Sequence, residues 1–277
     1  MIAVVRFRLG MPQPSFITIC DKACACGIRI PPDDAQGHHI SNCRNASAYG
    51  WARRSKFVQL KLRDIALSAG LTATLEQVVG GEGDRTDVTI SDWIQRDRDG
   101  SALSWPDGNI KRTRLHTDVA VINATAKSHV SRAAKIRGHA ALQRARVKMR
   151  KYTPLVHPDS FTPAVLEAHG FIDKGFARLL SDIAESHIDL SQPCLEIAKE
   201  DRGIIKSHRL LTLSYQLISV ALQRGIATHI SIAAGRVNAL HARSLAPFKS
   251  RGLSACGVQQ ILGLHDRNLL FGSQIPV

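Results

Sequence analysis

Four residues near the amino end have the types and spacing of a metal site. Cys24-Ala25-Cys26 is followed after twelve residues by His39 and after three more by Cys43. Thiolate sulfur and imidazole nitrogen form the tetrahedral shell that zinc takes. A bound ion would let about thirty loop-rich residues fold without a core of their own. His38 is an alternative to His39 and Cys20 to Cys24; Cys-x-Cys is tighter than the usual zinc spacing, and the competing reading is a set of free buried cysteines. Four of the six cysteines fall in this stretch. With no secretory signal in the opening residues, that clustering favours metal over disulfides.

A second set of candidates is acidic. Asp87 sits in TDVTI, Asp118 in HTDVAVI, and Glu76 near the end of the apolar stretch before them. Carboxylates on adjacent strands can meet at one edge of a sheet, where their oxygens suit Mg²⁺. Such an ion activates water and stabilises charge growing on a phosphodiester, and a nearby lysine assists. Alternation along HTDVAVI puts His116, Asp118 and Ala120 on one face and Thr117, Val119 and Val121 on the other. A buried strand aspartate needs a metal or a cationic partner; an arginine from the basic stretch that follows serves as well as a metal. Lys148 and Lys151, three apart, share a helix face and by themselves read as phosphate-facing lysines. His116 reads equally as a ligand or as a plain strand histidine.

The elements that would position these residues are legible in outline. Arg53 to Ala69 has an apolar stripe through Phe57, Leu60, Ile65 and Leu67, closed by Gly70. Leu71 to Val79 reads as a strand, followed by a plain Gly80-Gly81-Glu82-Gly83 turn. Asp87 to Ile90 is a second strand, 91–114 a polar insert with Trp93 and Trp105, and His116 to Ile122 a third strand. Ala124 to Tyr152 reads as one long basic helix with Gly138 as its weak point. A helix is expected within Phe161 to Ala184, and Leu195 to Val237 is largely helical. The expected division is an N-terminal zinc segment (1–51), an α/β core (52–155), a helical extension (156–235) and a poorly ordered tail (236–277).

Charge indicates the partner. The 277 residues carry a net +14. Between Lys111 and Lys151 twelve basic residues face a single acid, Asp118, a local net of +11. A solvated face normally mixes signs, so a one-sign stretch calls for a polyanion. Lys127, Arg132, Lys135 and Arg144 are the candidate phosphate contacts. The most apolar run, Leu210 to Leu222, is shorter than the ~20 residues of a membrane span, so a buried helix and no membrane are expected. Gly-x-Ser-x-Gly, His-Glu-x-x-His and a phosphate-binding glycine loop are all missing, which excludes the hydrolases and kinases built on them.

Taken in order, CACG…GHHISNC, RRSKFVQLKLRDIALSAGL, LEQ, RTDVTI, HTDVAVIN and KMRKYTPL resemble the C-terminal part of non-LTR retrotransposon polyproteins, and VRFRLGMP, FTPAVLEAHGF and LISVALQRGIA resemble its flanks. That region joins a CCHC zinc knuckle to a restriction-like endonuclease of the PD-(D/E)XK kind. The resemblance implies a mixed sheet flanked by helices, with Cys24, Cys26, His39 and Cys43 on zinc. Asp87 matches the aspartate of the family's Arg-Pro-Asp, Asp118 the acid of the second catalytic strand, and Lys148 or Lys151 the lysine near a tyrosine on the next helix. The family nicks target DNA to prime reverse transcription, which implies Mg²⁺, DNA and retroelement RNA as partners, and a nuclear setting. Thr86 replaces the family's proline, Ala120 stands where the general pattern has lysine, and the stretch between the two aspartates is long. An endonuclease is therefore expected, with a catalytically inactive nucleic-acid-binding remnant as the alternative.

Overall fold

The computed structural model describes residues 17–249 except 35–36, 44, 46–49, 81–82, 98–100 and 191–198. The VRFRLGMP stretch and residues 250–277 lie outside the described residues. The protein is a mixed α/β fold of small sheets and helices.

After the short α1 (His38–Asn42) comes α2 (Gly50–Ser68). It buries Val58, Leu62, Ile65 and Ala66, three or four apart as one helix face requires. The expected stripe holds at Ile65, but Leu67 is exposed and Phe57 and Leu60 are half-buried, while Val58 and Leu62 lie fully inside. Gly70, at φ 84°, ends the helix as expected.

Three antiparallel strands follow in the order β1 (Ala73–Val78), β2 (Arg85–Ile94), β3 (Arg112–Thr117). β2 runs past the expected Ile90 and buries Trp93 and Ile94. The third strand is split: β3 passes through Asp118 into β4 (Val119–Ile122), which pairs in parallel with β5 (Ala164–Glu167). Thr162 N donates to His116 O (3.0 Å) and Ala164 N to Asp118 O (3.2 Å), so the chain around β5 stays beside the strand through the break. The two small sheets are joined by this shared strand.

β5 carries no strand signal in the sequence: all four of its residues are buried, so it shows no alternation. Val119, Ala164 and Leu166 belong to the large core under α2. Ala120 and Val165 turn to the other face, against Ala141 and Ala145 of α4 (His139–Tyr152). The sheet is thus sandwiched between helices.

The single basic helix expected over 124–152 is not formed. Turns lead to a short α3 (Val130–Ala133), and α4 starts only after Gly138. Gly138 has φ 77°, and a Cβ there would lie 2.3 Å from the Phe171 ring. Left-handed backbone pressed on an aromatic ring redirects the chain where glycine alone fits.

α5 (Lys174–Leu190) and α6 (Lys199–Lys249) complete the described chain. The poorly ordered tail expected from 236 is corrected over its first part, since α6 continues to Lys249. Val237 is fully buried, and Lys22 Nζ donates to Asn238 Oδ1 at 2.7 Å. Among the described residues one helix, His208–Leu245, is long and apolar enough to cross a membrane. Half of its most apolar window is buried inside the protein, and Ile218, Leu222, Ile226 and Ile230 join the common core. Ile19, Cys24, Ile30 and Ile40 join it too, so the Cys/His segment shares the main core.

Candidate metal centre and acidic cleft

The Cys/His segment turns tightly on itself. Gly27 N donates to Cys24 O and Cys24 N to Ile28 O, both at 2.9 Å, with Gly27 at φ 85°. Asp34 accepts from His38 N (2.6 Å) and His39 N (2.8 Å) and so holds α1 and its histidine in place. The ligand atoms of Cys24, Cys26, His39 and Cys43 all lie within 4.8 Å of one another. Cys24 Sγ is 3.7 Å from Cys43 Sγ, and Cys26 Sγ is 3.5 Å from His39 Nε2. The edge of a tetrahedron with zinc–sulfur bonds is about 3.8 Å, so the set fits a metal such as zinc. His38 and Cys20 stand outside it. Burial pushes the Cys24 thiol up to about 12; a bound cation reverses that preference by deprotonating its ligands.

The acids form a row across the sheet. The pairs Leu75–Val88 and Gln77–Thr86 bracket a position where Glu76 faces Asp87. Asp118 comes one residue after Thr117, the partner of Val88, and so stands beside Asp87. Together with Arg53, Lys56 and Arg85, the three carboxylates line an open cleft of about 490 Å³. Like charges on directly opposed strands repel, and each carboxylate here has its own remedy. Glu76, held at φ 55°, pairs with Lys56. Asp118 pairs with the buried Lys148 of α4. Asp87 accepts from Val119 N at 2.7 Å, a bond that occupies the N–H at the very point where the strand changes partner. Burial first, then the hydrogen bond and charge of Asp118, push the Asp87 carboxyl up to about 7.

Lys148 lies below its ordinary value because it is buried, with the Asp118 charge opposing that shift. Ala120 is buried against α4, so the amine at Asp118 comes from the helix and not from the strand. Asp87, Asp118 and Lys148 are brought together, with Glu76 at the end of the row.

Lys151 is not part of it: the exposed side chain pairs with Asp84 at 2.9 Å. Asp118 finds its cation on the basic stretch, a lysine and not an arginine. His116 lies outside the cleft lining, its Nδ1 2.9 Å from Thr89 Oγ1. Tyr152 OH donates to Arg85 O at 2.7 Å, tying α4 to the start of β2. Lys127, Arg132, Lys135 and Arg144 are all exposed.

Sequence reasoning missed Lys56 and Gln59, which reach the cleft from α2. Gln59 is a polar residue 7% exposed within a helix, and its position one turn beyond Ser55 and Lys56 was the available signal. Among the described residues, the Cys/His set is the group of three or more ligands that converges in the manner of a metal site. No protein-family model matches the chain, and no curated protein matches it in sequence.

Proposed function

We propose that this protein is a metal-dependent DNA endonuclease module of the restriction-endonuclease-like, PD-(D/E)XK kind, joined to a zinc knuckle as in non-LTR retrotransposon polyproteins. It would act in the nucleus on target DNA, with the element's RNA as a second polyanionic partner. The observation that carries the reading is the row Glu76, Asp87, Asp118 with the Lys148 amine delivered to it. Asp87 and Asp118 would hold Mg²⁺, which supplies activation of water and stabilisation of charge on the phosphodiester. Two facing carboxylates, one pushed up to about 7, favour an added positive charge at that point. Lys148 can move from Asp118 to a phosphate oxygen when a cation neutralises the carboxylate. Arg53, Lys56 and Arg85 at the cleft wall place cationic side chains where a phosphate backbone would enter.

The test is nicking of supercoiled plasmid by zinc-loaded protein in Mg²⁺, beside Asp87→Ala and Asp118→Ala. The parent should nick, and each variant should lose on the order of a hundredfold or more. Nicking that survives Asp118→Ala would sink the assignment.

A second reading, a nucleic-acid-binding module without catalysis, is favoured by one observation: Lys148 already neutralises Asp118. It expects tight, salt-sensitive DNA binding by all three proteins and no nicking by any.

A further inference from the structure

We infer that the arm between β2 and β3 is a single-stranded-DNA contact in which Trp105 stacks on an unpaired base. The inference rests on the nucleic-acid reading above and deepens it.

The described residues of the arm are held by their own backbone hydrogen bonds. Gln95 N donates to Lys111 O (3.1 Å), Leu103 N to Gln95 O (2.8 Å) and Lys111 N to Leu103 O (2.8 Å). Its tip is a turn in which Trp105 N donates to Asn109 O (2.8 Å) and Gly108 N to Trp105 O (2.9 Å), with Gly108 at φ 83°. Asp107 spends both carboxylate oxygens on Asn109, at 3.0 and 2.9 Å, so this acid is committed to building the turn. Every residue from 101 to 110 is exposed.

On this defined turn sits Trp105, 49% exposed, with Leu103 and Ile110 exposed nearby. Three exposed apolar side chains gathered on one turn form a patch of the kind that marks a contact surface. Charge complementarity identifies the partner. Lys111 Nζ lies 5.0 Å from the Trp105 ring centroid, and Arg112 and Arg114 follow on the return strand, both exposed. An aromatic face beside cations is the arrangement that binds single strands, where bases stack and phosphates are neutralised. A paired base offers no free face, so the occupant is an unpaired one. Trp93, near the foot of the arm, is six residues from Asp87 along β2, or about 20 Å at the rise of a strand. The arm would therefore hold a displaced strand of the target away from the acidic row.

The full-length, zinc-loaded protein should be titrated with labelled oligothymidine, oligouridine and a duplex of equal length, following anisotropy and tryptophan emission. The parent should bind oligothymidine with quenching of emission. Trp105→Ala should weaken that binding by about tenfold or more, the usual effect of removing a stacking aromatic. Trp105→Tyr should restore most of it, and duplex affinity should be unchanged in both.

Oligothymidine binding by Trp105→Ala equal to the parent's would overturn the inference. Binding of oligouridine in place of oligothymidine would overturn its assignment to DNA. Loss of self-association in Trp105→Ala, with oligothymidine affinity intact, would overturn it in favour of a second copy of the chain. Plasmid nicking read on the same variants separates the two proposals. Trp105-dependent strand binding without any nicking leaves the arm and removes the nuclease. Asp87-dependent nicking with strand binding indifferent to Trp105 does the reverse.

Discussion

Lys148 and Asp118 are both nearly buried, with side chains 8% and 14% exposed. Removing one member of such a pair leaves the other charge without its partner, which typically costs about 3–5 kcal/mol. Lys148→Met should therefore lower stability by about that much in chemical unfolding, and Lys148→Met with Asp118→Asn should recover most of it. A single variant as stable as the parent would mean that the pair contributes nothing to the fold. Asp87 makes a separate, pH-dependent prediction. Its folded value is raised to about 7, so its contribution is present at low pH and is lost as pH rises through that value. Asp87→Asn removes the loss. The variant should melt roughly 2–4 °C above the parent at about pH 8 and close to it at about pH 4. Equal gains at both pH values would show that burial leaves the Asp87 carboxyl at its ordinary value.

The Cys/His segment and α6 depend on each other. His229 Nε2 lies 3.4 Å from Ile40 O, and Lys22 reaches Asn238, so the turns that carry the candidate metal ligands rest on the second half of the long helix. Elemental analysis should find about one zinc per chain, as a four-ligand set predicts. Chelation should lower the melting temperature and increase amide exchange in both the segment and the end of α6. His39→Ala should mimic chelation, while Cys20→Ser, outside the set, should leave zinc content unchanged. Exchange confined to residues before 44 would separate the two elements. The packing of α2 on α6 has its own weak point at Gly225, where a Cβ would stand 2.7 Å from Arg54 O. Backbone cannot yield as a side chain can, so Gly225→Leu should cost about 1–3 kcal/mol or more, read as a shifted denaturation midpoint.

At the scale of the molecule, the sequence from Ala124 to Tyr152, which forms α3, α4 and the turns before them, carries nine basic residues and no acid. Lys127, Arg132, Lys135 and Arg144 are all solvent-facing there. Changing them together to glutamine should weaken duplex binding and flatten the dependence of log affinity on log salt, by about 0.9 for each phosphate that is no longer neutralised. An unchanged slope would place the nucleic acid on another surface. This measurement is indifferent to catalysis, and so it tests the polyanion partner separately from the acidic cleft.

Residue type and spacing alone pointed to a Cys/His set near the amino end, to the two strand aspartates and to the basic stretch, because those signals are local. Helix α2 and strands β1 and β2 were legible in outline for the same reason: each shows its own period to the solvent. Of β3 only His116 and Thr117 read as strand, because Arg112 to Arg114 fall in the polar insert. The tertiary structure decided what depends on partners distant in the chain. It chose His39 over His38 and Lys148 over Lys151, since only packing determines which of two neighbouring side chains points inward. It aligned Glu76 with Asp87 through strand register, and it broke HTDVAVI at Asp118, where the strand exchanges β2 for β5. β5 was hidden because burial on both faces erases alternation. The basic helix was divided at Gly138 because Phe171, thirty-three residues further on, occupies the space that a Cβ would need.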